Sequence, residues 1–306
     1  MTTVQSQEPS QVKLRSFVPG DENIFLGLLD SCFGSLEYPP RLRGEITGSY
    51  LDHQGSLVAE ENGSAIGCVG LRRFPKENWS EIRYLAVKNG DARTRLAETL
   101  VNKTIRHAET NHVERLKAFV PAVEPFVGIY KKAGFTPVRR SLRISWDLAT
   151  LNPKETTVET KWISKEHAND AADVWVEGLS PYWDFWIEEQ GGPEECKTWV
   201  RESVGTDPWW IGAFQDQKLV GLSIFRPDAY GPDEGRFNGA YVLPKYRKKK
   251  IGTALVNYTI HEAQRKNQKK MNVYTLGFLD CLAPGSLLYL KSGGKIEAEY
   301  LQLERH

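Results

Sequence analysis

The chain has 306 residues, of which 40% are hydrophobic, and it carries 40 Lys and Arg against 39 Asp and Glu. This length accommodates two domains of ordinary size, and the composition is that of a globular protein. The near balance of charge argues against a protein that binds nucleic acid or an anionic membrane surface through its overall charge. No apolar run approaches the roughly 20 residues that cross a bilayer.

Residues 1–10 lack the apolar core of a signal peptide and are expected to form a short disordered tail. The four cysteines, Cys32, Cys68, Cys196 and Cys281, are widely separated and contain no CxxC pair and no spacing typical of zinc. We therefore expect a reduced, cytoplasmic setting, no metal site and no membrane partner.

The chain contains an internal repeat. The segment Leu57–Arg73 is echoed by Ile211–Pro227, and both predict a β-hairpin of two apolar strands around a polar turn. Each hairpin is followed by a further strand and an amphipathic helix. Two later segments, Glu124–Phe135 and Ala283–Gly294, share Pro, Tyr, Lys and Gly in register. The separation drifts by only a few residues across these blocks, which indicates two copies of one α/β unit.

The boundary between the copies is predicted at residues 151–160, where polar and turn residues replace the apolar pattern. The first copy then spans residues 11–150 and the second spans residues 161–306. Strands that alternate with helices predict, in each copy, a mixed and mostly antiparallel sheet flanked by helices.

The most informative stretch is a turn in the second copy. The β-prone run Gly239–Leu243 ends at Pro244, a basic turn follows, and an amphipathic helix begins near Ile251. Unpaired N–H groups and the helix dipole favour a phosphate group at such a helix start. Gly252 lets a ligand approach the backbone closely. The sequence therefore predicts an anion site at this turn.

This turn resembles motif A of the GNAT superfamily of acyl-CoA N-acyltransferases, an Arg/Gln-x-x-Gly-x-Gly/Ala sequence that holds the pyrophosphate of coenzyme A. Arg247 and Gly252 match its first and last positions, and Lys250 replaces its first glycine. If that position requires a positive φ, the lysine costs about 1–2 kcal/mol. If its side chain points outward, it adds a cation near the phosphates. The resemblance covers both copies. The architecture of the chain is similar to the tandem two-domain form of mycothiol synthases.

The resemblance implies that the second copy binds acetyl-CoA as a cosubstrate. The candidate cofactor-binding residues are Val242, Arg247, Lys248, Lys249, Lys250, Ile251, Gly252 and Thr253. Tyr289 matches the tyrosine that often protonates the departing thiolate in this family. Its alternative role is to pack its helix against the sheet.

The first copy keeps less of the motif. With Val87 aligned to Val242, the three motif positions fall on Ala92, Arg95 and Ala97, and only the last fits. Glu98 would place negative charge where the pyrophosphate lies, at a cost of up to about 4 kcal/mol. We expect this copy to bind the cofactor weakly or not at all.

Aromatic residues crowd the start of the second copy, a region that lies beside the acceptor site in the family. Trp183, Trp186 and the acidic Glu188 are the candidate substrate-binding residues, because they suit an amine with an apolar or cationic portion. The alternative for these aromatic residues is core and interdomain packing. No carboxylate stands out as the general base; the candidates are Glu177, Asp184, Glu188, Glu189, Asp233, Glu234 and Asp280.

The leading hypothesis is an acetyl-CoA-dependent N-acetyltransferase that moves the acetyl group directly from the thioester to a primary amine of a small molecule or peptide. The active domain would be the second copy. The alternative is a catalytically inactive acyl-CoA-binding or regulatory module of two such domains. A nucleic-acid patch at the basic clusters PKYRKKK and QRKNQKK is a third hypothesis, and the interleaved acids and near-zero net charge argue against it.

Overall fold

The computed structural model describes residues 12–36, 39–48, 50–74, 78–88, 93–206 and 209–305. The chain divides into two compact units. Unit 1 consists of Met1–Arg140 with Ala298–His306, and unit 2 consists of Ser141–Glu297. Within the described ranges, no helix is both long and apolar enough to cross a membrane.

The first half of the chain forms six strands and four helices within the part that the structure describes. In chain order they are β1 (Lys13–Ser16), α1 (Glu22–Phe33), α2 (Pro39–Ile46), β2 (Leu57–Glu61), β3 (Ser64–Phe74), β4 (Trp79–Val87), α3 (Arg93–Thr110), β5 (Arg115–Pro121), α4 (Phe126–Lys132) and β6 (Thr136–Asp147).

The second half repeats this order, with additional helical segments after its first strand. Its elements are β7 (Glu159–Trp162), α5 (Ala168–Leu179), α6 (Asp184–Glu189), α7 (Pro193–Ser203), β8 (Trp209–Gln215), β9 (Lys218–Gly231), β10 (Glu234–Val242), α8 (Ile251–Arg265), β11 (Lys270–Gly277), α9 (Pro284–Lys291) and β12 (Lys295–Arg305).

In unit 1 the strand order is β1-β2-β3-β4-β5-β12. The first four strands are antiparallel neighbours, β4 and β5 are parallel, and β5 and β12 are antiparallel. The apolar faces of α1 and α3 cover this sheet with fully buried residues such as Phe25, Leu29 and Leu100. The burial of these apolar side chains holds the helices against the sheet around one hydrophobic core.

In unit 2 the strand order is β6-β11-β10-β9-β8-β7. Strands β7 to β10 are antiparallel neighbours, and β10 and β11 are parallel. One core cluster joins Trp175 of α5 and Val200 of α7 to Trp210 of the sheet. A second core cluster joins Ile251 and Leu255 of α8 to strand residues. Helices therefore pack on both faces of the sheet, and the predicted mixed α/β fold class is confirmed.

Each unit contains a strand segment from the other copy of the sequence repeat. The end of β12 pairs with β5 in unit 1, and the second part of β6 belongs to unit 2, where Leu142, Ile144 and Trp146 are fully buried. The units therefore differ from the predicted copies 11–150 and 161–306. Apolar alternation shows that a strand is buried on one face, but it does not show which sheet the strand joins.

Candidate active site

A cleft of about 1100 Å³ lies in unit 2 where two parallel strands separate. Strands β10 and β11 are paired only over Glu234–Arg236 and Lys270–Asn272. The residues that follow on both strands line the cleft, together with the turn after β10 and helices α5, α7 and α9. The unpaired strand edge offers backbone N–H and C=O groups to an extended ligand.

A β-bulge shapes the middle of the cleft. The register of β10 against β9 shifts between Phe237 and Gly239, so Asn238 is the additional residue. Gly239 has a φ of 132°, and a Cβ atom there would lie 3.1 Å from Tyr241 Oη and 3.2 Å from Tyr289 Oη. Glycine at this position therefore brings the backbone of β10 against two phenol groups.

Tyr289 places a buried phenol in the cleft. Its hydroxyl accepts a hydrogen bond from Ala240 N–H at 3.2 Å, and its ring packs against Trp146 and Phe237. The side chain is 5% exposed, and burial raises its pKa to about 12. The phenol therefore keeps its proton at neutral pH and can donate it to a developing anion.

Tyr241 lies beside Tyr289 and has a different partner. Its hydroxyl donates to the carbonyl of Asn238 at 2.7 Å, which fixes the bulge. Burial raises the pKa of Tyr241, the neighbouring Tyr289 adds to the rise, and Arg236 opposes it. Because its proton is already used in this hydrogen bond, Tyr241 is the weaker candidate for the acid.

The predicted anion turn has the backbone of a helix start. The first hydrogen bond that closes onto the turn runs from Ala254 N–H to Lys250 O at 3.0 Å. The N–H groups of Ile251, Gly252 and Thr253 precede this bond and have no acceptor within the helix. These groups lie at the N-terminus of α8, which is the positive end of its dipole. A phosphate group is favoured at this position.

Lys250 combines both features that the sequence left open. Its φ is +63° in the left-handed region, where the family motif has glycine, and its side chain is exposed at the cleft. Lys248 likewise has a φ of +63° and lines the cleft, whereas Lys249 is exposed outside the lining and lies 5.1 Å from the Tyr246 ring. The turn thus presents two lysines to the cleft and holds both in a costly backbone conformation.

Replacing Lys250 by glycine should stabilise unit 2 by about 1 kcal/mol, because glycine adopts a positive φ without steric cost. Urea unfolding followed by tryptophan fluorescence reports on unit 2, since every tryptophan except Trp79 lies there. Lys249→Gly is the matched control: its φ is not positive, so added chain entropy should lower stability by about 0.4–1 kcal/mol. Equal changes in the free energy of unfolding for the two substitutions would contradict backbone strain at Lys250.

Arg247 holds the turn in place. Its guanidinium donates to the carbonyl oxygens of Val242 at 3.2 Å, Gly178 at 3.0 Å and Ser180 at 2.6 Å. Gly178 and Ser180 lie at the end of α5, where carbonyl groups lack helical partners. Arg247 also lines the cleft, so the structure gives this predicted cofactor-binding residue a positioning contact.

The start of α8 packs tightly against α9. A Cβ atom on Gly252 would lie 2.9 Å from Leu288 Cδ2, so the glycine allows the two helices to approach at the cleft. Thr253 is exposed, Ile251 is buried in the core, and all three residues line the cleft together with Val242.

The aromatic candidates reach the cleft, and the acidic one does not. Trp183 and Trp186 are half-buried, line the cleft and pack against the core around Trp175. Core packing is therefore observed for both residues, and substrate binding stays a prediction for the part of each side chain that lines the cleft. Glu188 is exposed and lies outside the residues that line the cleft.

The carboxylates of the cleft were missed by sequence reasoning. None of the seven general-base candidates lines it; the acidic lining residues are Glu195 and Glu202. Both lie on α7, on the same face as Thr198 and Trp199. Their spacing of seven residues is the helical signal that could have identified them.

The counterpart in unit 1 differs from this site. Tyr130, which matches Tyr289 in the sequence repeat, is fully buried. Glu98 accepts a hydrogen bond from Lys132 Nζ at 3.0 Å, which offsets the negative charge expected to repel a phosphate. A cavity of about 280 Å³ lies beside this pair. Ala92, the counterpart of Arg247, lies outside the described residues.

Two regions of the chain match one protein family. The family model of the acetyltransferase (GNAT) family matches the chain twice, over residues 26–135 and 173–278. The chain belongs to the GNAT acetyltransferase family. The resemblance drawn from the turn and the internal repeat is thus confirmed, and the two matches correspond to the two copies.

Solved GNAT structures share the fold over nearly the whole chain. A GCN5-related N-acetyltransferase from Sphaerobacter thermophilus has a TM-score of 0.74 and 14% identity, covering 98% of this chain and 96% of its own. A tandem GNAT protein from the clavulanic acid biosynthesis pathway has a TM-score of 0.64 and 14% identity, covering 96% and 98%. These TM-scores support the tandem GNAT fold.

A third GNAT relative belongs to a much longer protein. It is the glucosamine N-acetyltransferase region of a fungal multi-domain GH3 β-N-acetylglucosaminidase, with a TM-score of 0.70 and 13% identity. The match covers 97% of this chain and 38% of that one. No curated protein matches the chain.

Proposed function

We propose that unit 2 transfers an acetyl group from acetyl-CoA directly to a primary amine of a small molecule or peptide. The observation that carries this proposal is the buried hydroxyl of Tyr289 beside Ala240 N–H, at the point where β10 and β11 separate. This acid lies in the same cleft as the basic helix start. Such an acid can protonate the sulfur of the thioester as it leaves, which favours acyl transfer.

The residues of the cleft fit acetyl-CoA along its length. The free N–H groups of Ile251, Gly252 and Thr253, with Lys248 and Lys250 beside them, suit the diphosphate. The unpaired edge of β10 up to Val242 suits the amide groups of the pantetheine arm, as an added strand would be held. Arg247 orients this turn through its contacts with α5.

The bound cofactor supplies an activated acyl thioester. The side chains of unit 2 donate a proton to its sulfur and remove a proton from the acceptor amine. Tyr289 Oη donates its proton to the sulfur that leaves. Tyr241 stays hydrogen-bonded to the Asn238 carbonyl and keeps the bulge rigid. The acceptor amine must lose a proton to attack, and we assign its removal to Glu195 and Glu202, directly or through water.

Glu→Gln substitutions at residues 195 and 202 can show which of the two carboxylates is the base. The Glu→Gln change that removes the base should lower kcat by about 100-fold or more and flatten the acidic limb of the pH–rate profile. The other substitution should change KM more than kcat, since an exposed carboxylate on the same helix face contributes to substrate binding. Glu194→Gln is the control, because Glu194 lies on α7 outside the cleft. If neither cleft variant loses kcat, the proton leaves by another route.

The proposal is tested by acetyl-CoA binding and by release of free coenzyme A with a panel of amines. Glucosamine belongs in this panel because a structural relative acts on it. Saturable binding with release that depends on the amine is expected. Binding without transfer to any amine would instead support the alternative, a non-catalytic acyl-CoA-binding or regulatory module.

We infer that unit 1 does not carry the activity. Its phosphate turn departs from the motif at Arg95, and its described cavity is about a quarter of the volume of the cleft in unit 2. The four cysteines are free thiols, which suits the reducing cytoplasm that we propose as the location.

A further inference from the structure

Two arginines lie directly opposite each other in the cleft. Arg226 of β9 and Arg236 of β10 are cross-strand partners, and both are exposed and line the cleft. Arg226 follows Leu222 and Ile224 at a spacing of two, so it lies on the face that packs against α5 and α7. Like charges directly opposite across two strands destabilise a sheet. The charges of this pair therefore do not stabilise the sheet.

The acids nearest in sequence are already engaged. Asp228 accepts from Gln268 Nε2 at 2.8 Å, Asp233 from Lys269 Nζ at 2.8 Å and Glu234 from Asn272 Nδ2 at 2.8 Å. Among the described residues, no carboxylate forms an ion pair with Arg226 or Arg236. Both guanidinium groups are therefore available to a ligand.

The arginines are too far from the phosphate turn to serve the diphosphate as well. Arg236 lies six residues before Val242 on β10, which is roughly 20 Å of extended strand. The turn at the other end has its own cations, Lys248 and Lys250. The two cation pairs therefore mark opposite ends of the cleft, with the buried hydroxyl of Tyr289 between them.

The groups around the arginines suit a ligand that carries both signs of charge. In the same cleft, Glu195 and Glu202 of α7 form no ion pair among the described residues. Asn238 lies two residues after Arg236, and its buried Oδ1 atom has no hydrogen-bond partner within the described ranges. A buried acceptor without a donor costs free energy unless a ligand satisfies it. An amine supplies such a donor.

We propose that the acceptor is an amine that also carries an oxyanion, a carboxylate or a phosphate, and that Arg226 and Arg236 bind this oxyanion. This inference rests on the proposed acetyl transfer in unit 2. The planar guanidinium groups suit both oxyanions, because each can form paired N–H···O bonds with them. The amine end then lies toward Asn238 and Tyr289, and the acids of α7 attract its ammonium form.

The test uses amines in matched pairs that differ in one anionic group: lysine with cadaverine, tryptophan with tryptamine, and glucosamine 6-phosphate with glucosamine. The kcat/KM of the anionic member should exceed that of its partner by about 10- to 100-fold, the usual worth of a charged hydrogen bond. The two amino-acid pairs and the phosphate pair separate the two oxyanions. A preference in either set supports the proposal and identifies the anion.

The variant R226A/R236A should bring this kcat/KM ratio close to one, and Arg236→Lys should keep part of it because the charge remains without the planar fork. Lys266→Ala is the matched control, since it removes an exposed cation of unit 2 outside the cleft and should leave the ratio unchanged. Acetyl-CoA binding, measured in parallel, should be the same in all these variants.

Two results would overturn the inference. The first is an equal kcat/KM for both members of every pair, or a kcat/KM ratio that stays unchanged in R226A/R236A. Either outcome would contradict the oxyanion site and would leave the proposed acetyl transfer in place. Absence of turnover with all six amines would overturn acetyl transfer to these acceptor classes and the oxyanion site with it.

Discussion

Replacing Gly252 by glutamate should weaken acetyl-CoA binding by roughly 30- to 700-fold, or about 2–4 kcal/mol. Gly252 lies at the start of α8, where the N–H groups of Ile251 to Thr253 have no acceptor within the helix. A carboxylate there would occupy the anion site itself and repel the diphosphate. Isothermal titration calorimetry with the full chain measures the loss.

The charge effect must be separated from the effect of size. A Cβ atom on residue 252 lies 2.9 Å from Leu288 Cδ2, so any side chain disturbs the contact between α8 and α9. Gly252→Gln has nearly the same size without the charge and is the matched control. The difference in binding between the two variants then reports the electrostatic repulsion. If Gly252→Glu binds acetyl-CoA as tightly as the native protein, the diphosphate does not lie at this turn.

Local patterns in the sequence predict most of the elements that build this site. The helix expected to begin near Ile251 begins at that residue, and the hairpin expected within Ile211–Pro227 is formed by β8 and β9. These features depend on neighbours within a few residues, such as apolar spacing and turn residues. The anion turn is readable for the same reason, because a strand, a turn and a helix start are contiguous in the chain.

The parts of the site that depend on distant residues are not readable in this way. The sequence shows seven acids as candidates for the base, but it does not show that Glu234 is held by Asn272 or that Glu195 faces the cleft. It presents Arg247 as a phosphate ligand, whereas the contacts of its guanidinium with Gly178 and Ser180 form only in the fold. Arg226 and Arg236 likewise become a pair only through strand register.

Changing Tyr289 to phenylalanine should lower kcat by about 100- to 1000-fold with little change in KM, because it removes the acid and leaves the ring in place. The ring keeps its contacts with Trp146 and Phe237, so the fold should persist. Release of free coenzyme A under saturating acetyl-CoA measures kcat. Tyr130→Phe is the matched control, since Tyr130 is the buried counterpart in unit 1 and should not affect turnover.

The pH dependence of stability gives an independent measurement of the same group. Burial raises the pKa of Tyr289 from its usual value near 10 to about 12, so the folded state holds this proton more tightly than the unfolded state. The resulting stabilisation is complete below pH 10 and is lost as the pH rises toward about 12. Tyr289→Phe should therefore show a shallower fall in unfolding free energy over that range. A variant that keeps kcat within twofold and still shows this shallower fall would make Tyr289 a packing residue, and the acid would have to be sought at Tyr241.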